Sequence, residues 1–279
     1  MSFILDPLGF SFFQRALMAA LLVGVLCPIL GSYVVLRGMA FLGDALAHII
    51  LPGVVIAFLT DIPLVIGALA MGILTAFGIG ALSERNGLRE DSAIGVIFAG
   101  AFALGIALLS ATDGYAVDLT HFLFGNLLGV STADLWTMLG LSLIVFLVII
   151  LFYKELLVVS FDQTLARTLH LPVRFYNYLL LVLIAITIVV ALNAVGVSLM
   201  LAMIVTPAAT ASFLTRRLPS MMLIGALIGA LSGLIGLYAS FYLNIASGPS
   251  VVLVATVIFG IVFLYTRFSS PVIQRSSPA

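Results

Sequence analysis

The sequence predicts an all-α, polytopic membrane helical bundle of about nine spanning helices. Three observations predict it. Of the 279 residues, 63% are hydrophobic and 8% are charged, whereas soluble domains carry about 25% charge. Mean hydropathy is +1.34. The apolar residues come in runs of about 18–25, long enough to cross the hydrocarbon core as helices. The same composition excludes other classes. A formal net charge of +0 offers nucleic acid no electrostatic footing, so the lipid bilayer is the first partner. Neither G-x-x-x-x-G-K-[ST] nor H-E-x-x-H occurs, which removes a nucleotide-binding phosphate loop and the usual zinc-protease helix. No polar stretch is long enough for a soluble domain, so residues 1–279 read as one transmembrane domain. The lone cysteine, Cys27, lies in an apolar run and packs as a small hydrophobe.

The runs fall near 13–36, 39–59, 63–82, 93–112, 134–153, 176–194, 197–214, 220–243 and 250–267. The first is long enough to span and has no basic region before it, so it is a span and not a cleaved signal. The second is interrupted by Asp44 and Pro52. Residues 119–130 are too short to span and read as a re-entrant or interfacial segment, which needs protein to cover its free backbone groups. His121, between Asp118 and Asn126, lines an entrance there or anchors that segment.

The longest polar connection runs from Tyr153 to Asn177. Inside it, Asp162 starts a capping pattern. Leu165, Ala166, Leu169 and Leu171 form a short apolar face beside Arg167, and Pro172 ends it. This is an amphipathic cytoplasmic helix, suited to the lipid interface or to a groove on a soluble partner. Further on, Pro207 kinks its span or frees a carbonyl near Met203. Met200 and Met203 read as packing residues with some capacity as soft ligands. Gly225, Gly229 and Gly236 mark small-residue faces for close helix contact, within one protomer or, alternatively, at a dimer seam.

Basic residues set the orientation. Arg85 and Arg89, then Lys154, Arg167 and Arg174, then Arg216 and Arg217, and finally Arg267 and Arg275 fall on one side of the nine runs. Loops with Asp61, Asp113 and Asp118 alternate with them and carry no basic residue. The basic side is expected in the cytoplasm with the C-terminus, and the N-terminus outside.

Asp44 and His48 are the sharpest signal. A carboxylate at the centre of a membrane helix costs about 2.5–3.5 kcal/mol on insertion scales. Spacing of i and i+4 places both groups on one helix face, where an oxygen and an imidazole nitrogen can close on one divalent metal ion. A helix cap with a hydrogen-bonded histidine is the plainer alternative. Gly43 permits a close approach beside them, and Pro52 lacks the N–H that would bond the His48 carbonyl.

Four stretches in order along the chain resemble the membrane permease subunits of bacterial ABC importers for manganese, zinc and iron. They are Gly31-Ser-Tyr-Val-Val-Leu-Arg-Gly-Met-Ala-Phe-Leu-Gly-Asp-Ala-Leu-Ala-His48, Leu119-Thr-His-Phe-Leu-Phe-Gly-Asn126, Phe161-Asp-Gln-Thr-Leu-Ala-Arg-Thr-Leu169 and Thr206-Pro-Ala-Ala-Thr-Ala211. Gly248-Pro-Ser-Val-Val252 is similar too. The resemblance implies a homodimeric permease with its pathway at the seam, a cytosolic ATPase dimer and an extracytoplasmic metal-binding protein. It places Asp44 and His48 on the metal pathway and makes 162–171 the coupling helix. Gly43, Pro52, His121, Met203 and Pro207 are further pathway or hinge candidates. The chain itself would be no enzyme and hold no cofactor; the metal is cargo in the inner membrane. Manganese is the first choice, with zinc or ferrous iron as alternatives. An ion-coupled secondary transporter would need an inverted repeat and more buried acids, and neither is evident.

Overall fold

A computed structural model describes residues 6–86, 90–111 and 127–269, and all regular structure among them is helical. The long helices are α1 (Ser11–Leu36), α4 (Leu64–Asn86), α5 (Glu90–Ser110), α6 (Thr132–Leu151), α9 (Val173–Leu214), α10 (Leu218–Leu243) and α11 (Ser247–Ser269). Between them lie the short helices α2 (Phe41–Ile49), α3 (Leu51–Leu59), α7 (Tyr153–Phe161) and α8 (Gln163–Thr168).

With α2 and α3 counted as one, eight helices among the described residues are long and apolar enough to cross a membrane. The remaining expected run corresponds to a shorter apolar helix, Leu199–Leu214, inside α9. The re-entrant expectation for 119–130, with His121, falls largely outside the described residues; Leu127–Gly129 forms a single 3₁₀ turn.

Helix α9 has 42 residues, which as a straight rod would reach about 63 Å, twice the hydrocarbon thickness. It is not straight. Gly196 sits at φ 75°, ψ 174°, a backbone region that only glycine occupies comfortably. Val173 and Arg174, at one end, line a cavity with Gln163 and Arg167. Arg216 and Arg217, just past the other end, line a cavity with Asp162 and Leu165. Both ends of α9 therefore meet the α7–α8 region, and its halves run antiparallel about Gly196. This matches the division between the runs at 176–194 and 197–214.

Close backbone approaches hold the bundle. Added Cβ atoms would meet backbone between Gly24 of α1 and Gly229 of α10, between Gly31 of α1 and Ile204 of α9, and between Gly53 of α3 and Gly67 of α4. Gly236 packs on Val251 of α11. The glycine face of α10 is thus occupied within one protomer. Helix α1 is the centre, with Phe13, Leu26, Leu30 and Tyr33 fully buried; α5, α6 and α11 leave most of their surface open.

One element departs from the sequence reading. Tyr153–Phe161 was expected within a polar connection and is the helix α7, with Leu156 and Val159 buried. Lys154 and Glu155 dilute its apolar signal, while the three-residue spacing of its buried groups suits one helix face.

Candidate functional site

Helix α2 is buried at Leu42, Gly43, Ala45, Leu46, Ala47 and Ile49. Phe41, Asp44 and His48 are the residues it leaves open. They follow at i, i+3 and i+7, a single stripe. Both ionisable groups of this segment therefore lie on its one open face. His48 Nε2 stands 3.7 Å from Asp44 Oδ1, with side chains 33% and 36% exposed. That is too long for a hydrogen bond. A metal ion with bonds of about 2.1 Å bridges donors up to about 4.2 Å apart. No group of three or more His, Cys, Asp or Glu side chains suited to a metal occurs among the described residues; Asp44 and His48 stand as a pair.

The stripe has an aromatic wall. The His48 ring lies 5.4 Å from Phe102 and 6.1 Å from Phe98, edge-on to both. Phe98 and Phe102 stack at 5.7 Å, and Phe41 meets Phe98 edge-on at 6.0 Å. These rings from α5 confine the imidazole without supplying any polar donor. The sequence reading missed them: Phe98 and Phe102 share a face one turn apart, but nothing in their own run links them to His48.

The other candidates take defined places. Ile50 separates α2 from α3, and Pro52 sits in the first turn of α3, where a missing N–H costs least. Its ring packs against Gly105 of α5. Gly43 is approached by the side chain of Leu201. Met200 and Met203 are buried. Pro207 lies inside α9, but the non-helical backbone there is at Gly196.

At the basic end, Asp162 Oδ1 accepts hydrogen bonds from the backbone N–H of Thr164 (2.8 Å) and Leu165 (3.0 Å), as the cap predicts. The apolar face of α8 is divided. Ala166 is buried against the bundle, whereas Leu165 and Leu169 are exposed. Phe161, the last residue of α7, is exposed as well and lines a cavity together with Leu165. Arg167 lines a cavity of about 670 Å³ with Arg174, Glu90 and Asn177. Beside it, Arg37 Nη2 donates to Asn177 Oδ1 at 2.9 Å, and Arg37 Nε donates to Ser160 Oγ at 3.3 Å. Burial draws the Arg37 pKa down and Glu90 works against that; the guanidinium stays charged.

Known proteins resemble the chain over nearly its whole length. A family model described as the ABC 3 transport family matches residues 9–266. The chain is 46% identical to the manganese transport system membrane protein MntC of Halalkalibacterium halodurans, over 95% of this chain and 91% of that protein. It is 38% identical to the chelated iron transport system membrane protein YfeD of Yersinia pestis, over 99% and 93%. A solved structure, PsaBC from Streptococcus pneumoniae in complex with Fab, superposes with a TM-score of 0.84 at 37% identity, covering 96% of this chain and 99% of that one. On these matches, which run almost the full length of the sequence, the chain belongs to the ABC 3 transport family as a multi-pass membrane permease.

Proposed function

We propose that the chain is the permease of an ATP-driven importer of divalent transition metal ions, with manganese as cargo. It works as a homodimer in which the α2 stripes of two protomers face each other. Asp44 and His48 from both would give four nitrogen and oxygen donors, and two carboxylates would neutralise the ion's two charges. The observation that carries this reading is the stripe itself: the open face of an otherwise buried membrane helix holds its two metal-capable side chains. A bare divalent ion has a prohibitive desolvation cost in lipid, so a pathway must replace its water, yet hold it weakly enough to release it.

Energy enters from outside the chain. The exposed Phe161, Leu165 and Leu169 offer a cytosolic ATPase pair an apolar ridge. The basic end of the bundle faces the cytoplasm of the inner membrane with the C-terminus, by the positive-inside rule. The N-terminus and an extracytoplasmic metal-binding protein belong to the other side. The naming of relatives for manganese supports that cargo; the relative named for chelated iron supports ferrous iron as the alternative.

The test is metal uptake by cells carrying Asp44→Ala or His48→Ala. Each should bring manganese uptake to background while the permease still assembles with the ATPase. Uptake at the wild-type rate in both variants rejects the site.

A further inference from the structure

We propose that Arg37 is a positioning residue that couples the partner-facing helix α8 to the cation stripe on α2. The inference rests on the reading above, that α8 meets the ATPase and that Asp44 and His48 bind the ion. It adds the contact through which one would move the other.

The geometry is specific. Ser160 stands two residues before Asp162, the cap of α8, and Asn177 stands in the opening turns of α9, just after α8. A single guanidinium bonds both. The helix that leads into α8 and the helix that leads out of it are thereby held at one point. A planar guanidinium carries several donors in fixed directions and can hold two acceptors in a set relation; an ammonium cannot.

Arg37 is also the first residue past α1, seven positions before Asp44. The intervening turn is tight. Gly38 takes φ 70°. Its N–H bonds the Val35 carbonyl at 3.1 Å, and the Met39 N–H bonds that of Val34 at 3.0 Å. These two bonds close the end of α1 as a Schellman cap and fix the direction in which the chain enters α2. A third link is one of charge: Glu90, whose carboxylate favours the charged form of Arg37, opens α5, the helix whose Phe98 and Phe102 wall His48. A push on α8 therefore reaches both sides of the stripe through one side chain.

The experiment uses the permease with its co-purified ATPase in proteoliposomes. It reads Mn²⁺ bound by the solubilised complex, and Mn²⁺ transported per ATP hydrolysed. The variants are Arg37→Gln, the pair Ser160→Ala with Asn177→Ala, and Asn177→Asp, which keeps an acceptor for the guanidinium. Arg37→Gln and the paired variant should bind Mn²⁺ within about twofold of wild type, but lower the transported-to-hydrolysed ratio by about fivefold or more, the range of ordinary coupling energies. Asn177→Asp should keep the wild-type ratio. An unchanged ratio in the first two overturns the proposal, including the case where transport and hydrolysis fall together, as a merely structural role would give. Should Arg37→Gln fail to assemble, the paired variant decides. Asp44→Ala, measured alongside, separates the two ideas: if it keeps its Mn²⁺, the site reading fails, whereas an unchanged ratio in the Arg37 variants defeats the coupling alone.

Discussion

His48 sits against two phenylalanine rings with its ring edge-on to both, and this decides what the side chain can do. Aromatic pairs in such geometry are worth about 0.5–1.5 kcal/mol beyond area burial, enough to favour one imidazole orientation. Phe102, at 5.4 Å, is the nearer ring. Phe102→Ala should weaken Mn²⁺ binding about threefold to tenfold, the size of that aromatic contribution, with Phe102→Leu intermediate because it restores bulk but not the ring. A binding isotherm on the purified permease checks this; equal affinities in wild type and Phe102→Ala would mean that the wall merely fills space.

Among the elements, helices meet where glycine lets backbones touch. A Cβ at Gly31 would run into the Ile204 carbonyl of α9, and one at Gly53 into that of Gly67. Neither obstacle is a flexible side chain, so backbone must move, and overpacking of this kind costs about 1–3 kcal/mol. Gly31→Ala and Gly53→Ala should each lower the melting temperature of the detergent-solubilised permease. Gly95→Ala and Gly100→Ala, where nothing lies within 4 Å, should leave it unchanged or raise it, since alanine is the better helix former. The same element scale shows how far sequence could reach. Run lengths locate the spans because bilayer thickness fixes helix length, and the Asp44–His48 stripe is local, one helical turn long. Even the α9 hairpin was legible, since its run is too long for one crossing. Helix α7 was not, because two charges mask a short buried face. The aromatic wall and the Arg37 bonds were not either. Ser160 and Asn177 lie 123 and 140 residues from Arg37, and no local spacing announces a contact between distant helices.

For the molecule as a whole, the question is what covers the open stripe. The stripe opens at Phe41, which is 47% exposed, and ends at His48, since residues 49–55 are all buried. Its neighbours on the other open faces of the bundle, such as Leu253, Val257 and Ile261 of α11, are purely apolar and suit acyl chains. A carboxylate does not: ionisable groups in membrane segments face a protein interior or a water-filled cavity almost without exception. In the proposed homodimer a second copy of the chain would meet that need, but it would bring a second Asp44 opposite the first. Two carboxylates at close range repel unless a cation lies between them, so seam closure should depend on metal. The chain is well suited to the test because its single cysteine, Cys27, is buried. In a Cys27→Ala background, Phe41→Cys should give a covalent dimer with a short bis-maleimide. Val257→Cys should not. Dimer yield at Phe41→Cys should fall when divalent metal is chelated and recover with added Mn²⁺, and Asp44→Asn, which removes both the repulsion and the ligand, should make it insensitive to either treatment. Cross-linking at Val257→Cys with none at Phe41→Cys would place the two-fold axis elsewhere and detach Asp44 and His48 from any shared pathway.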